Sequence, residues 1–222
     1  MNYSVSATCL RQEAFEDNVL ALLAYPVTEL HCDYFPEIDT APSLSSGQLS
    51  WCLEHWPRGL TVHLWGDADI ALLPPPVERW RLLIQLHDDT DEQIEVARGA
   101  ARGGWATGVS LCPHLVGSVM ARISFPLAAV QVLTTSTPGF PGGSFLASTW
   151  TVLDELRGLR SALNADWTIE VDGGLTDTVM AGLADRCDLA VIGSNYLREH
   201  AVTGHRVPDR LLEAACLSSF TS

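Results

Sequence analysis

Short runs of apolar and β-branched residues alternate along this chain with longer stretches of helical periodicity. Apolar runs of about four to eight residues are typical of buried strands, whereas spacings of three and four are typical of amphipathic helices. The predicted strands are Tyr3–Thr8, Glu29–Tyr34, Leu60–Leu64, Arg81–His87, Gly108–Leu111, Ala128–Thr134, Thr168–Val171 and Leu189–Ile192.

Helical patterns fall between these strands. They are Glu13–Ala24, Gly47–His55, Asp91–Gly103, Leu115–Arg122, Ser148–Leu163, Thr176–Arg186 and Asp209–Cys216. Between the third and fourth strands, three consecutive prolines (Pro74 to Pro76) leave room only for a short helical turn around Val77. Eight strands alternating with about eight helices predict a closed parallel (β/α)8 TIM barrel. We therefore expect one barrel domain over residues 1–222.

The length and composition of the chain agree with a single globular barrel domain. The chain has 222 residues, a length at which such barrels form one domain. It contains no apolar run near 18 residues and no basic leader before an apolar segment, so we expect neither a membrane span nor a signal peptide. The six cysteines are scattered without a Cys-x-x-Cys pair, which favours a reduced, cytoplasmic compartment.

The charge of the chain excludes several classes of function. The formal net charge is −14, and all 13 basic residues are arginine because the chain has no lysine. An acidic chain without a basic cluster is a poor candidate for binding nucleic acid or an anionic membrane. The missing lysine also excludes Schiff-base aldolases, pyridoxal phosphate enzymes and a Walker-type phosphate loop.

Two histidines and two aspartates stand at or near the ends of predicted strands. His31 and Asp33 share one face of the second strand, because side chains on a strand alternate. His63 closes an apolar run on the third strand, and Asp172 closes one on the seventh. In a (β/α)8 barrel the carboxyl ends of the strands converge on one mouth, so these side chains can form one site. Imidazole with carboxylate suits zinc, iron, manganese or cobalt better than calcium.

Glycine-rich loops follow the sixth, seventh and eighth strands. They are Thr137–Phe145, Asp172–Gly174 and Ile192–Ser194. Glycine allows backbone N–H groups to approach an anion closely, and the loops after the last two strands of such barrels frequently bind phosphate. The pattern predicts a small phosphorylated substrate held by backbone amides, which is compatible with an acidic chain.

Together these motifs resemble the ribulose-phosphate 3-epimerase family. The resemblance spans about Ser4 to Tyr196. Its motifs are His31-Cys32-Asp33, Val62-His63-Leu64, Pro138-Gly139-Phe140, Val171-Asp172-Gly173-Gly174 and Gly193-Ser194. Membership implies a barrel that inverts C3 of a ketose phosphate, such as ribulose 5-phosphate, with one divalent metal cation.

The resemblance also implies residue roles. His31, Asp33, His63 and Asp172 would be the metal ligands, and Asp33 and Asp172 would be the catalytic pair that transfers protons on opposite faces of the substrate. Substrate and phosphate would be bound by Thr8, at the end of the first strand, and by His63, Gly139, Phe140, Pro141, Gly142, Gly173, Gly174, Gly193 and Ser194.

The chemistry is consistent with those roles. A proton next to a ketone is too weakly acidic to remove at neutral pH unless the enediolate is stabilised, which a divalent cation can do as a Lewis acid. Inversion then needs a base on one face and an acid on the other. Two carboxylates in different protonation states can supply both.

The pocket walls differ from the family pattern. Phe35, Trp65 and Thr134 stand where the family has pocket-lining methionines, Phe35-Pro36-Glu37 replaces Met-Asp-Gly, and Pro141 removes one N–H donor from the phosphate loop. The substrate could therefore be a ketopentose or a ketohexose phosphate. Two alternatives stay open: a barrel that binds a sugar phosphate or a partner without turnover, and a metal-dependent hydrolase. Because barrels of this type often pair, we also expect a homo-oligomer.

Overall fold

The strands of the chain form a closed, all-parallel eight-stranded barrel in sequence order, surrounded by helices. The computed structural model describes residues 1–10, 12–35, 42–65, 70–137, 143–193, 201–202 and 205–206. The strands are β1 Asn2–Ser6, β2 Glu29–Asp33, β3 Gly59–Trp65, β4 Trp80–Leu86, β5 Ala106–Leu111, β6 Ala129–Leu133, β7 Thr168–Asp172 and β8 Leu189–Ile192. The predicted (β/α)8 class is confirmed.

The described helices cover the outside of the barrel. They are α1 Phe15–Ala21, α2 Ser46–His55, α3 Asp91–Arg102, α4 Val116–Met120, α5 Thr149–Ala162 and α6 Asp177–Leu183. Short 3-10 turns at Gln12–Ala14 and Leu22–Ala24 flank α1, and another at Pro113–Leu115 precedes α4. The predicted helix Asp209–Cys216 lies outside the described residues. A two-stranded antiparallel ribbon pairs Ala201–Val202 with His205–Arg206.

Local sequence explains where α2 begins and which face α3 buries. Helix α2 starts after a capping box, in which the Ser45 hydroxyl accepts from the Gln48 N–H and the Gln48 side chain accepts from the Ser45 N–H. Helix α3 buries Ile94, Ala97 and Ala100, three residues on one stripe. Such stripes pack against the outward side chains of the strands and form the main apolar core.

One predicted element is displaced. The short helical turn between β3 and β4 lies at Ile70–Leu72, before the three prolines, and not around Val77. Leu73, Pro74 and Pro75 each precede a proline and are therefore biased away from helical backbone angles, so the turn ends before the prolines and does not continue to Val77.

The inside of the barrel is unusually polar. Buried polar side chains on the strands include Ser4, Ser6, Glu29, His31, Asp33, Thr61, His63, Gln85, Ser110, Gln131 and Glu170. Near the amino ends of the strands, the Arg81 guanidinium donates to the carboxylates of Glu29 and Glu170 and to the Thr61 hydroxyl. This ion-pair cluster crosses the barrel from β4 to β2 and β7. It closes the end opposite the mouth.

Candidate metal centre and active site

Three side chains converge at the mouth of the barrel. His31 Nε2 lies 3.2 Å from Asp33 Oδ1 and 3.2 Å from His63 Nδ1, and His63 Nδ1 lies 3.1 Å from Asp33 Oδ1. His31 and His63 are buried, and Asp33 is 9% exposed. The described residues contain one group of three metal-ligating side chains whose donor atoms all lie within 4.8 Å of one another, and it is this group.

Strand geometry brings these residues together. His31 and Asp33 lie two residues apart on β2, so both point into the barrel. The parallel pairing of β2 with β3 puts Asp33 beside His63. Asp33 is the last residue of β2 rather than one residue before its end, whereas His63 lies two residues before the end of β3.

The donor set fits a divalent transition metal ion. Ligand atoms of a tetrahedral site with metal–nitrogen bonds of about 2.0–2.1 Å lie roughly 3.3–3.4 Å apart, close to the 3.1–3.2 Å sides of this triangle. Two imidazoles and a carboxylate suit zinc or iron. The outer ring nitrogens, His31 Nδ1 and His63 Nε2, are buried without a hydrogen-bond partner among the described residues.

Burial and the Asp33 carboxylate act in opposite directions on the two histidines, and the Asp33 carboxylate prevails only at His31. Burial disfavours protonated His31, but the Asp33 carboxylate outweighs burial and raises the pKa of His31 to about 9. Burial lowers the pKa of His63, and the charge of His31 lowers it further. For Asp33, burial is outweighed by His31 and His63, so that its pKa falls far below the usual range. Asp33 is thus an anion within the cluster.

Asp172 lies close to this group without belonging to it. It is the last residue of β7, it is partly exposed, and no described residue donates a hydrogen bond to its carboxylate. Its desolvated position in the barrel, together with the charges of Asp33 and Glu170, raises its pKa to about 6, although His31 opposes the shift. The two aspartates therefore have opposite electrostatic surroundings.

Two hydroxyl groups orient Asp33. Ser6 Oγ donates to Asp33 Oδ2 at 3.0 Å, and Thr8 Oγ1 donates to the same oxygen at 3.2 Å. Strand β1 ends at Ser6, and Thr8 lies in a 3-10 turn at Ala7–Cys9, so the predicted position of Thr8 at the strand end is wrong. A 3-10 turn directly after the strand curls Thr8 back beside Ser6. Ser6 was not predicted, although the alternation Ser4-Val5-Ser6 on β1 was an available signal.

We expect Ser6→Ala to weaken metal binding by about tenfold, because partners of a ligating carboxylate hold it in its binding geometry and their loss typically costs 10–100-fold. Isothermal titration of the metal-free protein with zinc measures the effect. Ser4→Ala is the matched control: Ser4 lies on the same face of β1 but donates to the Glu29 carbonyl. Equal zinc affinities for the two variants would contradict a role of Ser6 in holding Asp33.

The Gly173-Gly174 turn after β7 requires glycine. Both residues have positive φ, at 101° and 66°. A Cβ on Gly173 would lie 2.5 Å from Thr135 Cγ2, and one on Gly174 would lie 2.6 Å from the Phe145 nitrogen. Among the other predicted phosphate-binding residues, Gly193 follows β8 directly, whereas Gly139, Phe140, Pro141, Gly142 and Ser194 lie outside the described residues.

The three residues predicted to line the pocket have different surroundings. Phe35 is buried against the rings of His63 and Trp65. Trp65 ends β3 on the same side as His63. Thr134 is fully buried, and its hydroxyl donates to the carbonyls of Asp172 and Gly173, so it holds the turn in place. Pro36 and Glu37 lie outside the described residues.

The fold and this cluster define the class of protein: a (β/α)8 barrel with a histidine–carboxylate group at its carboxyl mouth. The chain belongs to the ribulose-phosphate 3-epimerase family, whose sequence profile matches residues 54–197. The matched region includes His63, Asp172 and the glycine loops. His31 and Asp33 precede it, and the geometry of β2 and β3 joins them to the same site.

Several solved structures share the barrel. Tryptophan synthase from Mycobacterium tuberculosis, in an open form, has a TM-score of 0.60 at 11% identity, covering 96% of this chain and 91% of that one. Phosphoribosylanthranilate isomerase from Thermotoga maritima has a TM-score of 0.58 at 12% identity and 90% coverage of each chain. At such identities the likeness shows the fold alone.

No curated protein sequence matches the chain. Within the described residues, no helix is long and apolar enough to cross a membrane.

Proposed function

We propose that this protein is a metal-dependent epimerase that inverts C3 of a ketose phosphate, with ribulose 5-phosphate and xylulose 5-phosphate as the first candidates. The observation that carries the proposal is the triangle of His31, Asp33 and His63 donors at the mouth of a barrel from this family. A substrate site at that end agrees with where barrels of this fold place their chemistry.

His31, Asp33 and His63 would hold the cation, and Asp172, on β7 beside them, would complete the set. When bound, the cation would act as a Lewis acid that makes the C3 proton of the ketose more acidic. It would also offset the negative charge of Asp33 and Asp172 in the barrel.

Asp33 and Asp172 are the groups proposed to move protons. They come from β2 and β7, which are separated by two strands around the closed barrel, so a substrate lying between them would present one face to each. One carboxylate would take the C3 proton and the other would return a proton from the opposite face, with the roles exchanged in the reverse direction. Their different surroundings suit this division: Asp33 accepts four hydrogen bonds from described side chains, whereas Asp172 accepts none.

The turn after β7 supports a phosphorylated substrate. Gly173 and Gly174 form a turn with positive φ directly after Asp172, and Thr134 holds this turn through its hydroxyl. Backbone N–H groups of such a turn can bind a phosphate without a lysine, and this chain has none.

The proposal is tested by solvent deuterium exchange. Metal-loaded protein is incubated in D2O with ketopentose and ketohexose 5- or 6-phosphates, and deuterium at C3 is measured by NMR. We expect incorporation for at least one pentulose phosphate. Absence of exchange with every substrate would contradict turnover and favour a binding protein, whereas release of inorganic phosphate would favour the hydrolase.

Metal binding should stabilise the fold. We expect zinc or manganese at about 100 times its dissociation constant to add roughly 2.7 kcal/mol to the free energy of unfolding. For a chain of this size that raises the melting temperature by about 5–10 °C. Differential scanning calorimetry with and without a chelator measures the shift. Asp33→Ala is the control, since it should abolish the response; a full shift in that variant would place the cation elsewhere.

A further inference from the structure

The mouth of the barrel has an aromatic wall, formed by Phe35, Trp65 and His87, beside the metal-ligand group. Phe35 contacts the His63 ring edge-to-face at 5.3 Å and the Trp65 ring at 5.6 Å. On the other side, the His87 ring lies 3.8 Å from Trp65, with the ring planes 35° apart. The orientation of Trp65 is therefore set from two sides.

The indole N–H of Trp65 is buried and has no hydrogen-bond partner among the described residues. A buried donor without a partner is unfavourable, and an oxygen atom of a bound ligand would satisfy it. Trp65 shares the inward face of β3 with His63, two residues away, so it stands next to the ligand group and not on the outside of the barrel.

The position of the wall indicates which part of the substrate it meets. In the closed barrel, β3 and β4 lie four strands away from β7 and β8, which is the opposite side of the ring. The glycine turns proposed to bind the phosphate follow β7 and β8, and the metal-ligand group lies between. A ketose phosphate extending across the mouth would therefore place its non-phosphorylated end, with the C1 hydroxyl, against Trp65 and His87.

We propose that Trp65 is a specificity-determining residue whose indole N–H donates to the C1 hydroxyl oxygen of the ketose phosphate, with Phe35 and His87 holding the ring in place. The proposal rests on the proposed epimerase function. It makes the preferred substrate a 1-hydroxy ketose phosphate and not its 1-deoxy analogue. Phenylalanine at this position would keep most of the aromatic wall but remove the donor.

The test compares xylulose 5-phosphate with 1-deoxyxylulose 5-phosphate. Both carry the C2 ketone, the C3 hydroxyl and the phosphate, so they differ at the atom that Trp65 would contact. We expect the wild-type protein to prefer xylulose 5-phosphate by about three- to tenfold in kcat/KM for C3 exchange, the contribution of one neutral hydrogen bond. Trp65→Phe should reduce this preference to near one while zinc affinity stays unchanged.

Trp80→Phe is the matched control. Trp80 also has a buried indole N–H without a partner in the part of the chain that the structure describes, but it begins β4 at the other end of the barrel, so the variant should keep the wild-type preference. If Trp65→Phe lowers kcat/KM for both substrates equally, Trp65 acts through packing and the proposal is wrong.

Calorimetric binding of the two compounds separates this proposal from the proposed function. Binding with the same preference, lost in Trp65→Phe, supports the Trp65 contact even without C3 exchange. No binding of either compound to the metal-loaded wild-type protein overturns both proposals.

Discussion

Asp172→Asn should lower C3 exchange by at least about 1000-fold while leaving most of the metal affinity. An amide can neither take nor return the proton, whereas His31, Asp33 and His63 remain together without Asp172. Deuterium incorporation into the best ketose phosphate, measured beside zinc affinity, gives both quantities. Asp33→Asn should differ, because Asp33 belongs to the donor triangle. It should lose exchange and zinc binding together.

The pair of variants discriminates between roles. Epimerisation at the wild-type rate by either variant would contradict the two-carboxylate mechanism. An Asp172→Asn protein that loses zinc as completely as Asp33→Asn would make Asp172 a principal ligand. Asp154→Asn, on the outer surface of α5, controls for a general effect of removing a carboxylate and should retain full activity.

Arg81→Met should reduce the free energy of unfolding by about 3–5 kcal/mol. Removing one partner of a buried ion pair leaves uncompensated charge in a low-dielectric interior, and Arg81 pairs with two carboxylates, Glu29 and Glu170. Glu170 is fully buried, and burial together with the nearby Glu29 raises its pKa, while Arg81 opposes the shift. Equilibrium unfolding in urea measures the loss.

Two further variants test whether the loss of stability comes from buried unpaired charge. Arg122→Met removes a surface ion pair with Asp91, whose side chain is 93% exposed, and should change stability by no more than about 1 kcal/mol. Adding Glu170→Gln to Arg81→Met should recover part of the stability, because one uncompensated carboxylate disappears. A loss as small as that of Arg122→Met would show that the barrel interior tolerates the unpaired charge.

Local patterns made most of the barrel predictable. Each predicted strand overlaps an observed one, because buried parallel strands are continuous apolar runs separated by turn residues. Helix ends were less predictable: the stretch Glu13–Ala24 contains only Phe15–Ala21 as α-helix, with 3-10 turns on either side. The ends of such helices depend on packing against the barrel, and the periodicity of the sequence carries no information about that packing.

The proposed site also has a part that the sequence predicts and a part that it does not. Side chains on a strand alternate between two faces, and the strand ends of a barrel converge. These two rules were enough to predict that His31, Asp33 and His63 lie together. The role of Ser6 was not predictable in this way, because its partner Asp33 lies 27 residues away in the sequence. The pairing of Arg81 with Glu170 spans 89 residues and depends on the closure of the sheet.

Local periodicity and composition were sufficient to predict the alternation of strands and helices, the fold class and the residue types available for chemistry. The three-dimensional fold was needed to show which donors share a triangle, that Asp172 lies beside it, and that the indole N–H of Trp65 at the mouth has no partner among the described residues. Those features depend on distances between side chains from different strands and on the water that their burial excludes. Both are set when the barrel closes.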